Sequence, residues 1–142
     1  MAETPKTGLG VILMKDDKLL IGKRINSHGH NTWSFPGGHI ERFETFGECA
    51  KRETYEETGL EIELINEPQL YYTRDFFEDE NKDYFTFYQK AKYISGKPKR
   101  KEKDKCLEWK WDTWENIKQY ENLFIPLQNL IKQGFDPYQS DI

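Results

Sequence analysis

A chain of 142 residues fits one ordinary domain, residues 1–142, and is long enough to bury a core without disulfide or metal staples. Charged residues at 32% and aromatics at 15% exclude a disordered chain, and a net charge of −4 gives no general attraction to nucleic acid or an anionic membrane. There are only two cysteines, no charged-then-apolar leader and no apolar run near the ~20 residues of a bilayer span, so the expectation is a soluble, cytoplasmic chain with reduced thiols.

In chain order, Gly8–Met14 and Lys18–Lys23 are apolar, β-prone runs about a polar Lys15-Asp16-Asp17 tip, which predicts a hairpin. Ser27–Thr32 has loop composition, and Trp33-Ser34-Phe35 predicts a short strand stopped by Pro36-Gly37-Gly38. Thr45–Thr58 predicts a helix closed by Gly59. A strand at Leu60–Ile65 follows, then a second hairpin of the aromatic runs Leu70–Phe77 and Tyr84–Tyr93. Lys97–Lys105 is a charged loop and Trp109–Trp111 a last strand. Thr113 is a candidate N-cap, with helical segments expected at Trp114–Tyr120 and Ile125–Gln133, the latter closed by Gly134. Strands mixed with two or three helices indicate an α/β domain.

On a helical wheel Phe46, Ala50, Glu53 and Glu57 share one stripe, with Cys49 and Glu56 beside it. The stripe begins as a core face and ends as carboxylates. Nothing in helix stability asks for this, because acids at i, i+3 and i+4 repel one another and the C-terminal end of the macrodipole favours cations. A solvated acidic face is one reading. The other is an all-oxygen site for a hard divalent cation, Mg²⁺ with Mn²⁺ as a substitute.

The surrounding spacing bears on that choice. Gly38, Glu44 after five intervening residues, and Arg52-Glu53-Thr54-Tyr55-Glu56-Glu57-Thr58-Gly59-Leu60 after seven more resemble the signature box of the Nudix hydrolases. Seven fixed residues at set spacing arise by chance with a probability on the order of 10⁻⁷ in a chain this long. Thr54 holds a position that is apolar in the family. Gly22-Lys23-Arg24, Trp33 to His39, Glu102 to Trp114 and the Gln133-Gly134-Phe135-Asp136-Pro137 tail are similar to the MutT-like branch, especially its human thiopurine and deoxynucleoside triphosphate diphosphatase type.

The resemblance implies a Nudix fold, an α/β/α sandwich around a mixed sheet, and a metal-dependent enzyme attacking a diphosphate with water. Glu53, Glu57 and the flanking Glu56 are the expected carboxylate ligands, with Glu56 or a later-loop acid such as Glu102 as the base. Gly37 is expected to supply a backbone carbonyl to the metal, and Gly38 to let a phosphate approach closely. By wheel angle Arg52 turns away from the metal stripe and pairs with Glu44 as a brace. The similar branch implies Arg24 as a phosphate clamp, His39 beside the base and Phe124 stacked on it. Ile125 and Gln128 depart from that branch, which has an aromatic residue and a cation there. His28 and His30 read as ordinary loop histidines, and Trp109, Trp111 and Trp114 as core.

The window after the box, Asp75 to Glu78, carries neither the proline of ADP-ribose hydrolases nor the tyrosine of dinucleoside polyphosphate hydrolases. That favours a (deoxy)nucleoside triphosphate, ordinary, oxidised or otherwise modified, cut to the monophosphate and pyrophosphate. The alternatives are hydrolysis of another nucleoside diphosphate derivative, or a non-catalytic binding module. The expected partner is a small nucleotide, not a nucleic acid or membrane, and the aromatic 70–93 hairpin offers a homodimer surface on a chain that a monomer would also suit.

Overall fold

Residues 6–24 fold as two strands whose apolar runs face two cores at once. In the computed structural model, which describes residues 3–65 and 70–139, β1 spans Lys6–Lys15 and β2 spans Lys18–Arg24, paired antiparallel. Alternation along β1 sends Leu9, Val11 and Leu13 to one face of the sheet and Ile12 to the other, and both faces are covered. Short strands β3 (Trp33–Ser34) and β4 (Gly37–Gly38) pair with β2 and β1. After α1 (Phe46–Thr58) come β5 (Ile62–Leu64), β6 (Tyr71–Phe77), a single 3₁₀ turn at Glu78–Glu80 and β7 (Lys82–Tyr93). The chain continues through β8 (Cys106–Thr113), α2 (Trp114–Ile117) and α3 (Ile125–Lys132).

The eight strands form one sheet whose central path runs β3-β2-β1-β7-β5, with β4 on β1, β6 on β7 and β8 on β2. Among the strand pairings of the described residues only β1–β7 is parallel, beside an isolated parallel bridge of Trp33 with Leu123, so the sheet is mixed. Cys49 and Ala50 of α1 pack with Leu9, Val11, Leu13 and Leu20 on one face, and Trp114, Ile117, Leu127 and Leu130 from α2 and α3 pack with Ile12, Leu19 and Ile21 on the other. This is the expected α/β/α sandwich.

Several boundaries move for physical reasons. Pro36-Gly37-Gly38 is more than a stop: its glycines pair with Leu9 and Gly10, where a Cβ on Gly37 would lie 2.0 Å from the Leu9 carbonyl oxygen. β8 extends well beyond Trp109–Trp111 because its pairing with β2 continues to Lys18 and Arg24. The segment expected to be helical to Tyr120 is helix only to Ile117, and strand β5 is trimmed to the three residues that β7 can pair. Within the second hairpin, Leu70 lies just outside β6. Tyr72, Phe76 and Phe85 of this hairpin are exposed, on the face away from α3.

Candidate active site

The helix that carries most of the acids is set at both ends by its own sequence. Thr45 caps it by accepting the Glu48 amide (3.1 Å), while the Glu48 side chain accepts the Thr45 amide (2.8 Å), a full capping box. Gly59 ends it at φ 78°, a left-handed conformation that costs glycine nothing. Its buried face differs from the expected stripe. The core side runs Gly47, Ala50, Thr54 and Thr58, so Glu53 and Glu57 flank the core rather than continue it. Thr58 fits because its hydroxyl donates to the Thr54 carbonyl at 2.6 Å, whereas the buried Thr54 hydroxyl has no partner among the described residues.

Arg52 also departs from its expected direction. It makes the expected brace, with Nε 2.6 Å and Nη2 3.0 Å from the two Glu44 carboxylate oxygens, a bidentate pair. It does not turn from the acids, however: Nη1 reaches Glu53 at 2.7 Å and Glu56 at 3.3 Å, and Nη2 donates to the His39 carbonyl at 3.0 Å. A long guanidinium sweeps back over its own turn, which a wheel of Cα angles does not represent. These hydrogen bonds, together with the Glu41 amide, hold the Glu44 carboxyl down to about 2, and the same partners raise the Arg52 pKa.

Glu53 and Glu57 behave oppositely. Burial raises the Glu53 pKa against the pull of Arg52, with Glu56 and Glu102 adding to the rise. Burial pushes Glu57 up to about 8, opposed by a 2.8 Å hydrogen bond from the Gly37 amide and increased by Glu53 and Glu102. Glu102, from the loop before β8, therefore stands with the helix acids, its own cation Lys105 no nearer than 4.0 Å. A Cβ on Gly38 would fall 2.3 Å from a Glu53 carboxylate oxygen, so a bare glycine is what lets that carboxylate sit there.

These residues line one end of a cleft of about 770 Å³. Its other end is aromatic. His28 packs against Phe77 with ring centroids 3.9 Å apart, against Tyr84 at 5.3 Å and against Phe124 at 5.3 Å. The ring of His39 lies 6.0 Å from Tyr84. Arg24 joins the two ends, its guanidinium carbon 4.1 Å from the Phe124 centroid and its charge felt by Glu57. Burial lowers its pKa, as for a cation placed to await an anion.

The NUDIX domain family model matches residues 4–133. The chain belongs to this family of hydrolases. An RNA pyrophosphohydrolase of Bartonella bacilliformis is 26% identical, covering 75% of this chain and 76% of the relative. An ADP-ribose pyrophosphatase of Methanocaldococcus jannaschii is 41% identical over 56 residues, 39% of this chain and 33% of the relative's length. Among solved structures, the MutT protein of Methanosarcina mazei Go1 has a TM-score of 0.77 at 21% identity, covering 94% of this chain and 95% of that one, a likeness of fold.

Nudix hydrolases generally use divalent metals. Among the described residues no three His, Cys, Asp or Glu side chains form a ready-made metal cage, since Glu53 is turned to Arg52 and Glu57 to the Gly37 amide. The donor chemistry nevertheless fits a hard cation. Glu53 and Glu57 are recessed, their pKa values raised by burial, and all the donors are oxygens. Glu53 shares the Arg52 charge, whereas Glu57 has no ion pair among the described residues.

The cleft thus gathers Arg24, Gly37, Gly38, His39, Arg52, Glu53, Glu56, Glu57, Glu102 and Phe124, while Glu44 stands behind Arg52. His28 corrects the reading as an ordinary loop histidine: its Nδ1 pairs with Glu80 at 2.7 Å, and its ring is part of the aromatic wall. His30 accepts the Asn26 amide in an exposed loop. Of the tryptophans, Trp114 is core on the α2–α3 face of the sheet, and Trp109 and Trp111 are partly buried against the core on the α1 face. Phe77, Tyr84 and Thr86 were missed as cleft residues. Period-two alternation puts Tyr84, Thr86 and Tyr88 on one face of β7, but no local signal says that this face lines the cleft.

Proposed function

We propose that this chain is a Mg²⁺-dependent pyrophosphohydrolase that converts a (deoxy)nucleoside triphosphate, ordinary or modified, to the monophosphate and pyrophosphate. The observation that carries the reading is the two-ended cleft, with acids and glycines at one end, a π-faced compartment at the other and a recessed arginine between. Its volume suits one mononucleotide. A base needs only an aromatic face, which Phe124 offers, while the Arg24 fork suits phosphate oxygens on their way to the acidic end. His39 borders the base side.

Glu53, Glu56 and Glu57, with a backbone carbonyl at Gly37, are the groups that would hold the cation. When bound, the ion neutralises developing phosphoryl charge and acidifies the attacking water. Gly38 leaves room for the phosphate to approach. Glu44 fixes Arg52, and Arg52 fixes the carboxylates of Glu53 and Glu56. Glu102 is the better placed proton acceptor, because Glu56 already shares the Arg52 charge and, among the described residues, Glu102 has no ion-pairing cation nearer than Lys105.

The test is a product assay with Mg²⁺ over the common and oxidised triphosphates, ADP-ribose, dinucleoside polyphosphates and a 5′-triphosphorylated oligoribonucleotide. The last is included because the Bartonella relative is named an RNA pyrophosphohydrolase. Nucleoside monophosphate and pyrophosphate from free triphosphates are expected. Turnover confined to another compound in the panel would replace the substrate reading, and no turnover of any of them would overturn the enzyme reading.

A further inference from the structure

Behind the floor of the aromatic end lies a polar cluster that the proposed chemistry does not use. Asp75 on β6 is fully buried (0% exposed). Its Oδ2 accepts the Thr73 hydroxyl at 3.0 Å and the Thr86 hydroxyl at 2.6 Å, and its Oδ1 accepts the Asn129 side-chain amide at 2.9 Å. A carboxylate is expensive to bury even when it is fully hydrogen-bonded. Joining β6, β7 and α3 needs no charge, because Asn129 and Gln133 already donate from α3 to the Arg74 and Tyr72 carbonyls.

Only one member of the cluster, Thr86, lines the cleft. A hydroxyl has one hydrogen and two lone pairs, and the Thr86 hydrogen is committed to Asp75. Toward the cleft it offers lone pairs alone. Thr86 stands between Tyr84 and Tyr88 on the same face of β7, and across from it is Gly8, where a Cβ would come within 3.8 Å of the Thr86 oxygen. With no side chain at Gly8, that approach stays open.

We propose that Asp75 fixes Thr86 as an acceptor in the floor of the base compartment, so that the site prefers a base bringing an exocyclic amino group to that point. Asp75 is then a positioning residue and Thr86 a specificity-determining one. The inference rests on the nucleotide reading above. A site built to meet a donor with an oriented lone pair discriminates against the analogue that lacks the donor.

The test compares monophosphates that differ by one amino group, dGMP with dIMP and dAMP with the deoxymonophosphate of unsubstituted purine. Their binding to the whole protein is measured by calorimetry and, in parallel, kcat and KM for the matching triphosphates. Wild type should favour the amino member of at least one pair. Thr86→Val, which keeps the shape and removes the oxygen, should erase about three- to tenfold of that preference, through Kd and KM and with kcat retained. Thr86→Ser should preserve it. Asp75→Asn supplies a donor in place of an acceptor, frees the Thr86 hydrogen to point at the cleft, and should abolish or reverse the preference. Equal ratios in wild type, Thr86→Val and Thr86→Ser would overturn the proposal, as would a Thr86→Val loss spread evenly over all bases. Binding without turnover would count against the hydrolase reading and leave the base preference measurable in Kd; turnover without monophosphate binding leaves it measurable in KM. Failure both to bind the four monophosphates and to turn over the matching triphosphates would overturn both.

Discussion

The acidic end of the cleft is drawn mainly from residues 37–57, with Glu102 its one distant member, whereas the aromatic end draws Arg24 and His28, Phe77, Tyr84 and Thr86, and Phe124 from four separate stretches. Arg52 ties Glu44, Glu53 and Glu56 to one another, and the Gly37 amide holds Glu57. The rings are held mainly by packing, at centroid separations of 3.9 to 5.8 Å, with the bond from His28 to Glu80 a polar tie on one ring of the wall. Charge and hydrogen bonds demand particular atoms at particular places, while an aromatic wall tolerates exchange of one ring for another. The chemistry of such a site is accordingly more constrained than its choice of base.

That contrast leads first to a large effect at the acidic end. Glu57→Gln should lower kcat with Mg²⁺ by about 10³-fold. At pH 8 the metal-free variant should melt no lower than wild type, because glutamine still accepts the Gly37 amide and removes a charge that burial disfavours. A large drop in melting temperature alongside the lost activity would make the acidic end a structural feature.

The next effect is a pH dependence with opposite signs at neighbouring carboxyls. Glu57 is raised to about 8, so in metal-free protein its contribution is fully present below about 4.5 and is lost as pH rises through 8. Glu44, held at about 2, contributes above about 4.5 and loses that contribution only as pH falls through 2. Between pH 5 and 8 the metal-free protein should therefore lose roughly 3–4 kcal/mol through Glu57, with Glu44 constant. Mg²⁺ should recover more stability at pH 8 than at pH 6, since the metal needs the ionised acid. Denaturant melts at the two pH values, with and without Mg²⁺, read this directly, and equal Mg²⁺ stabilisation at both would contradict it.

The smallest effect belongs to the aromatic end. Phe124→Ala should raise KM by about tenfold and change kcat far less, while Phe124→Tyr should stay near wild type. Steady-state kinetics on the best triphosphate decide this. A kcat loss as large as that of Glu57→Gln would show that the two ends do not act separately.

How much was legible follows the same division. The box from Gly38 to Gly59 could be read because its members are close in the chain and one helix sets their spacing. Phe124 and His39 could be read only through family likeness, and His28 not at all, since its place depends on Glu80 and Phe77 across the cleft. The direction of Arg52 was misjudged because a helical wheel locates Cα atoms and not the end of a long side chain.

The sequence by itself determined the family, the mixed α/β architecture and the set of acids, because hydrophobic period, capping residues and the box are local properties of the chain. Tertiary structure alone decided that Arg52 faces Glu53 and Glu56, that Thr54 and Thr58 lie on the core, and that Thr86 of the cleft donates to the buried Asp75. Those outcomes depend on desolvation and on hydrogen-bond partners from other strands and helices, and neither exists until the sheet has closed around them.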